Sequence, residues 1–420
     1  MWRGLLLCLG LTTLCGQRAA AQPIAEEAAA DRAEAAVVEP RALPVAPLVE
    51  EKVPPEDDRP WFDRLTLSGY AEAYYSYNLA RPQNRVTNNR WLDERSNSLT
   101  LQTVALDLDA KKGPFALKIT LMFGPTADRW YFEGARIPDA ESGAVLSPSG
   151  YSNETWKHIQ TAFASYTAPL GDGLTVQAGL FPTAVGFEPA AVKDNWNWSR
   201  SNLFNFLPFF HVGARVSYPV TETWTLAAAV YNGWNQASDL NAGKSLSLQS
   251  VLIGDGWFFN ALYIGGPERP RGDAAGSPWR NLFDVVAQVD ALPWLSLALH
   301  GNAGFEKSDY GNHSWGALAL YARAKASDWL YLALRGDGIG ENVPSDGGAI
   351  LLGGANHILS LTGTLELRPA GDHFSIRVEY RHDGSDSDAP LFFKRGYGAD
   401  GQQLLAAAQN TLTLGVTGWF

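Results

Sequence analysis

Both cysteines of this chain, Cys8 and Cys15, fall within its first fifteen residues. If that stretch is removed, no thiol is left, which excludes disulfides, thiolate metal sites and cysteine nucleophiles. Charge is scarce as well. Asp, Glu, Lys and Arg make up 18% of the chain, against about 25% in soluble domains. Yet no stretch beyond the N-terminus reaches the roughly 18 apolar residues that a membrane-spanning helix needs. There is no basic footprint for nucleic acid either, since the formal net charge is −11. The seven histidines (158, 211, 300, 313, 357, 373 and 382) have no ligand spacing. No G-x-S-x-G elbow occurs, and "GDGIGE" (336–341) places Glu341 where a dinucleotide fingerprint needs its third glycine. "HDGSDSDAP" (382–390) lacks the spacing of a Ca²⁺ loop. Catalytic residues, a metal site and cofactors are therefore not expected.

What the chain has in abundance is alternation. From Leu65 onward, period 2 dominates. "LTLSGYAEAYYSYN" (65–78), "PFALKITLMF" (114–123) and "LFDVVAQVDA" (282–291) each set an aliphatic or aromatic face against a polar one. "ILSLTGTLELR" (358–368) and "HFSIRVEYR" (373–381) do so most clearly, and the short "PAGD" between them makes a hairpin. The last ten residues, "TLTLGVTGWF", alternate Leu412, Leu414 and Val416 with threonines and stop on Phe420. A soluble sandwich needs a core to cover every apolar face. A barrel in lipid needs none, because the apolar face meets lipid and the polar face lines a wet lumen.

The connections favour the barrel. Short ones near 109–113, 169–173, 219–223, 254–256, 292–293, 326–328 and 369–372 alternate with long ones near 79–97, 124–158, 182–210, 233–245, 265–280, 302–313, 338–356 and 383–403. Short periplasmic turns and long external loops are the pattern of outer-membrane barrels. The fold expected is all-β: a transmembrane antiparallel up-and-down barrel of about 16 strands, wide enough for a water-filled channel. The last strand is expected over 404–420.

Three segments follow. "MWRGLLLCLGLTTLCGQRAAAQ" has a basic Arg3, an apolar stretch and Ala19–Ala21, a secretory signal over 1–21. Residues 22–64, rich in Ala, Glu and Pro, read as a partly disordered periplasmic linker. Residues 65–420 form the barrel. Trp224, Trp257, Trp294 and Trp329 each follow a short turn, and Trp419 lies at the same end. Together they are expected to form a periplasmic aromatic girdle.

The stretch "GLFPTAVGFEPAAVKDNWNWSRSNLFNFLPFFHVGARVSYP" (179–219) is similar to the central block of the OmpL-like family of β-barrel porins. The wider likeness to outer-membrane porins spans residues 65–420. It implies passive diffusion of small hydrophilic solutes and ions across the outer membrane of a Gram-negative bacterium. It implies contact with outer-membrane lipid and lipopolysaccharide, and leaves monomer and homotrimer both open. Phe420 on a two-faced strand is similar to the signal read by the barrel-assembly machinery. In porin-like barrels the third external loop, here 182–210, folds inward. Glu188, Lys193, Asp194 and Arg200 are then the charges expected to narrow the pore.

The polar faces offer further lumen charges: Glu72, Lys118, Arg215, Asp284, Asp290, Arg323, Lys325, Arg335, Asp337, Glu366, Arg368, Arg377, Glu379 and Arg381. Arg323, Lys325, Arg335, Arg368, Arg377 and Arg381 lie on adjacent strands. They make either a basic wall that favours anions or, with Glu366 and Glu379, a neutralised network. The alternative to a channel is a structural or adhesive outer-membrane barrel with little channel activity, linked to the envelope through 22–64.

Overall fold

The computed structural model describes residues 65–131, 137–138, 145–146, 156–239, 241–344, 350–352 and 355–420. The expected leader and linker lie outside these described residues. Sixteen strands form one closed antiparallel barrel. They are β1 (Leu65–Asn78), β2 (Ser98–Lys112), β3 (Phe115–Phe123), β4 (Ile159–Ala168), β5 (Leu174–Pro182), β6 (Phe210–Thr221), β7 (Trp224–Tyr231) and β8 (Ser245–Gly254). Then come β9 (Trp257–Pro267), β10 (Trp279–Leu292), β11 (Leu295–Ser308), β12 (Gly311–Ser327), β13 (Leu330–Asn342), β14 (His357–Leu367), β15 (Phe374–Ser385) and β16 (Ala408–Trp419).

Alternation sets which way each side chain points. On β16, Leu412 and Leu414 are exposed on the outer surface, while Thr411, Thr413 and Thr417 are buried inside. A slip of one residue would exchange the two faces, so the register is strongly specified. β16 pairs with β1 from Tyr70–Trp419 to Asn78–Thr411. The last residue joins this ladder: Phe420 N donates to Gly69 O (3.1 Å) and Gly69 N donates to Phe420 O (3.2 Å). No free sheet edge is left in the barrel.

The wall is uneven in height. β3, β4, β5 and β7 have 9, 10, 9 and 8 residues, whereas β10 to β13 have 14, 14, 17 and 13. The tall side corrects one expected loop. Residues 302–313 are not an external loop: β11 runs to Ser308, β12 starts at Gly311, and only two residues join them. "GNAGFEKSDYGNHSW" (301–315) reads as loop because its residues are small and polar. They are small because of a neighbour across the sheet: a Cβ on Gly304 would lie 2.0 Å from the Trp315 ring.

The final strand is also shorter than expected. β16 begins at Ala408, and Gln403–Ala406 pairs instead with Phe392–Tyr397 in a separate external hairpin. That hairpin is tied to the loop between β1 and β2. Asn88 Nδ2 donates to Leu391 O, Phe393 N donates to Asn88 Oδ1 (2.7 Å), and Arg395 N donates to Ala80 O (3.0 Å). Arg90 of the same loop reaches into the barrel mouth and pairs with Asp93 (2.9 Å) and Asp383 (3.0 Å). Burial alone would depress its guanidinium, but the carboxylates of Asp383 and Asp93 hold it above its usual pKa. The first and last external loops thus bolt together above the seam where the barrel closes.

The tryptophans divide. Trp257, Trp294 and Trp329 are exposed at the turn end, and Trp224 lies there half-buried with Nε1 donating to the outward Ser250 Oγ (3.0 Å). Trp419 is a correction to the expected girdle. It shares the parity of the inward threonines, packs against Tyr70, and lies 5.7 Å from the Arg368 guanidinium. The outward position at this end of β16 belongs to the exposed Phe420.

Candidate functional site: the lumen and its inward loop

Residues 183–209, between β5 and β6, turn into the barrel. Their composition requires it, since Phe187, Trp196, Trp198, Leu203 and Phe204 would otherwise face water, and here all are buried. Phe187 packs edge-on to Trp196 (5.5 Å between centroids) and against Tyr321 (4.8 Å). Inward Ala227, Ala298, Ala319 and Ala333 make room for them on the wall. Gly415 does the same on β16, where a Cβ would lie 2.1 Å from the Trp198 ring. Within the loop, Val192–Asp194 forms one 3₁₀ turn and Asn202–Asn205 a single helical turn, α1, N-capped by Ser201 Oγ from Phe204 N (3.3 Å).

An irregular segment inside a barrel has peptide groups that no ladder satisfies. Charged side chains of the wall satisfy them here. Glu379 accepts from Trp198 N (2.6 Å) and Ser199 N (3.0 Å), and Asp337 from Asn202 N (2.8 Å). Asp284 accepts from Gly186 N (3.0 Å) and is held by His300 Nε2 (2.7 Å). Glu72 accepts from Val192 N. The arginines serve the carbonyls. Arg377 donates to Val192 O (2.6 Å) and Asn195 O (2.8 Å), Arg335 to Ser199 O and Arg200 O (3.2 Å), and Arg381 to Arg200 O.

This arrangement decides between the two expected uses of the arginine cluster. Arg335, Arg377 and Arg381 are each 0% exposed. Their remaining donors meet carboxylates: Arg335 pairs with Glu188 (2.9 Å) and Asp337 (3.0 Å), Arg377 with Glu366 (2.8 Å), and Arg381 with Asp383 (2.6 Å). Arg323 and Arg368 also bind Glu366. Lys325 pairs with Asp328 (2.8 Å) at the turn end. The cluster is a neutralised network that holds the loop, and it does not present a bare basic wall. Each partner is costly to remove, because a buried pair broken on one side loses about 3–5 kcal/mol.

Two of the four expected loop charges act in the same way. Glu188 is taken up by Arg335 and by Ser201 N (2.7 Å), and Arg200 donates to Trp198 O (2.8 Å) and Ala190 O within the loop. Lys193 and Asp194 alone of the four have side chains about a quarter exposed, and they pair with each other (2.9 Å). They border a cavity of about 470 Å³ between the loop and the low side of the barrel. On the wall opposite stand Lys118, Arg215 and Asp107. Lys118 pairs with Asp109 (2.9 Å), and Arg215 Nε donates to Gln177 Oε1 (2.8 Å). Asp290 is exposed near a turn and accepts from Ser296 Oγ (2.5 Å).

Sequence reading missed Asp107 and Asp109. Strand β2 pairs Glu72 with Thr103 but Ala73 with Leu101, so Gln102 is an extra residue and the parity changes there. Beyond the bulge, Leu106 and Leu108 face out and the two aspartates face in; the signal was the alternating "LDLD" itself.

Comparison with known proteins agrees with this geometry. The model of the family described as "Putative beta-barrel porin-2, OmpL-like" matches residues 64–417. No curated protein matches by sequence. Among solved structures, the outer-membrane channel DcaP of Acinetobacter baumannii aligns with 85% of this chain and 97% of its own, at 11% identity and a TM-score of 0.52. The anion-selective porin of Comamonas acidovorans covers 85% and 99%, at 11% identity and 0.52. The trimer form of OmpT from Vibrio cholerae covers 85% and 99%, at 9% identity and 0.53. At such identities these structures speak to the fold. The family match, over most of the chain and the whole barrel, goes further: this chain belongs to the OmpL-like β-barrel porins and is a diffusion channel of the bacterial outer membrane.

Proposed function

We propose that solutes and ions pass between the inward loop and the wall formed by β2 to β6, with the short strands β3 to β5 at its centre, and that this gap sets the size limit of the pore. One observation carries the reading: the loop is fastened to the tall wall by the buried Arg335–Glu188 pair and by hydrogen bonds from Arg377 and Arg381 to its carbonyls, and open volume adjoins it on the other side. The side chains on that side include Asp107, Asp109 and Asp194 against Lys118, Lys193 and Arg215. Three acids and three bases support a pore with little preference between small cations and anions. The arrangement does transport rather than catalysis, and the buried charges of the wall act as scaffold.

Native cysteines occur only at 8 and 15, so single cysteines in the barrel report cleanly. Lys118→Cys and Lys193→Cys should be blocked by a bulky thiol reagent in planar bilayers, with the current falling by half or more. The equivalent reagent should not alter Thr362→Cys, which is buried against the fastened loop. Block at Thr362→Cys and none at Lys118→Cys would place the path on the other side.

A homotrimer is proposed as the assembly. Outward-facing Ala164, Ala178 and Ala214 lie side by side on β4, β5 and β6, giving a flat patch on which a second barrel can pack. Crosslinking through cysteines at these positions tests it; monomers only, in native membranes, would exclude it.

A further inference from the structure

The gap between the inward loop and the wall is more apolar than a plain water channel needs to be. Trp130, Phe163, Phe181, Phe204 and Phe209 all border its cavity. Several of these rings serve the packing of the loop. Phe204 and Phe209 meet at 5.2 Å within one buried cluster, and Trp130 lies nearly flat on Phe209 (5.2 Å, 19° between planes). Phe163 is different. Alternation aims it inward on β4 between the buried Thr161 and Ser165, yet it is only half-buried itself. Phe181 covers one side of it, at 5.0 Å between centroids. An apolar ring left facing a wet lumen is unfavourable until something apolar covers it.

Charges of both signs stand around that ring. Lys118 lies directly opposite Phe163 in the ladder between β3 and β4, and it pairs with Asp109. Their side chains are 37% and 45% exposed, so both can reach a solute. On the other flank the Arg215 guanidinium lies 5.2 Å over the Phe181 ring. The loop brings Lys193 and Asp194 to the same cavity. Sites for small molecules have volumes of roughly 300–1,000 Å³, with a largely apolar lining and a few placed polar groups. The cavity of about 470 Å³ has both properties. A simple anion would take Lys118 from Asp109, and a simple cation would take Asp109 from Lys118. A solute with both charges on one small group meets both members of the pair, and an apolar group beside those charges covers Phe163.

We propose that the gap is a selective binding site for small zwitterions with an apolar side group, of the class of an aromatic amino acid. The side group lies against Phe163, the carboxylate meets Lys118, and the ammonium meets Asp109, where a nearby ring face also favours a cation. Binding is weak because the charges are partly open to water, and weak binding is what lets a solute leave again. The inference rests on the gap being the path. It departs from simple size-limited diffusion in one respect: an added ring strengthens the interaction instead of merely slowing passage.

Single-channel current in potassium chloride is recorded with L-phenylalanine, glycine or phenylacetate added. Phenylalanine should reduce the current saturably. Its half-effect concentration should lie about tenfold or more below those of glycine, which lacks the ring, and phenylacetate, which lacks the ammonium. Phe163→Ser should bring phenylalanine level with glycine, and Phe163→Leu, which keeps an apolar cover, should retain part of the difference. Equal responses to phenylalanine and glycine, or an unchanged response in Phe163→Ser, would overturn the proposal. Should Phe163→Ser not yield a barrel by heat-modifiable mobility, Asp109→Asn is the second variant. It should bring phenylalanine level with phenylacetate, and an unchanged response overturns the proposal as well. Thiol-reagent block of Lys118→Cys with no effect of phenylalanine would remove this site and leave the path. If that block is missing, the path fails, and equilibrium dialysis of the folded barrel in detergent against labelled phenylalanine decides the site alone. Saturable binding that is lost in Phe163→Ser supports it; no saturable binding overturns it.

Discussion

Arg215 on β6 and Arg335 on β13 face one lumen from different sides. Arg215 is half-buried, hydrogen-bonds Gln177 on the neighbouring strand and borders open volume. Arg335 is fully buried and divides its donors among Glu188, Asp337, Thr362 and two loop carbonyls. The residue type and the alternation that aims it inward are the same. What differs is whether a loop lies on top. Charge on the low side is available to solution, whereas charge on the tall side is spent on peptide groups that would otherwise be stranded.

That difference can be broken outright. Deleting residues 190–204 removes what the tall wall holds, so its arginines and carboxylates should become pore-facing. The largest effect is expected here: single-channel current should rise severalfold, and an unchanged current would refute a constricting loop. Arg335→Ala is the next test. It strands Glu188, Asp337 and two carbonyls at a cost of about 3–5 kcal/mol, enough to unseat the loop without opening the barrel. Excess current noise and new protease cleavage within 183–209 are expected, with the barrel still resistant to denaturation by detergent.

Smaller changes sharpen the contrast. Lys118→Glu with Lys193→Glu reverses two charges at the gap and should move the zero-current potential in a salt gradient toward cation preference. Thr362→Val, on the tall wall, should leave that potential where it was; a shift of equal size would mean both sides face permeating ions. Deleting Phe420 should alter conductance least of all, because it lies outside the lumen. It removes two backbone hydrogen bonds to Gly69 and the expected assembly signal, so the amount of barrel in the membrane should fall. Normal membrane levels would count against a signalling role.

Strand number and facing were legible because period 2 is directly visible in residues such as Leu359, Leu361, Arg377 and Arg381. The inward turn of 183–209 was legible from its aromatic content together with the family resemblance. Pairing was not. Nothing local to "SRS" at 199–201 indicates that its carbonyls will meet Arg335 and Arg381, more than 130 residues away. The loop wrongly expected at 302–313 has a similar origin: Gly304 is small because of Trp315, and single-strand periodicity does not report a neighbour's bulk. The misread Trp419 shows that composition at a barrel rim does not settle which face a ring occupies; parity with Thr413 and Thr417 does.

The fastening of the loop also sets an order of events. Its hydrogen bonds to the tall wall span from 98 residues (Gly186 to Asp284) to 185 (Val192 to Arg377). Some anchors come from early or middle strands, Glu72 on β1 and Asp284 on β10, but the arginine anchors arrive only with β13 to β15. A partly assembled sheet ending before β13 therefore holds the segment by only part of its seat. The channel acquires its bore late, as one of the last consequences of completing the wall, and an intermediate that stalled before then would be a wider hole than the finished pore.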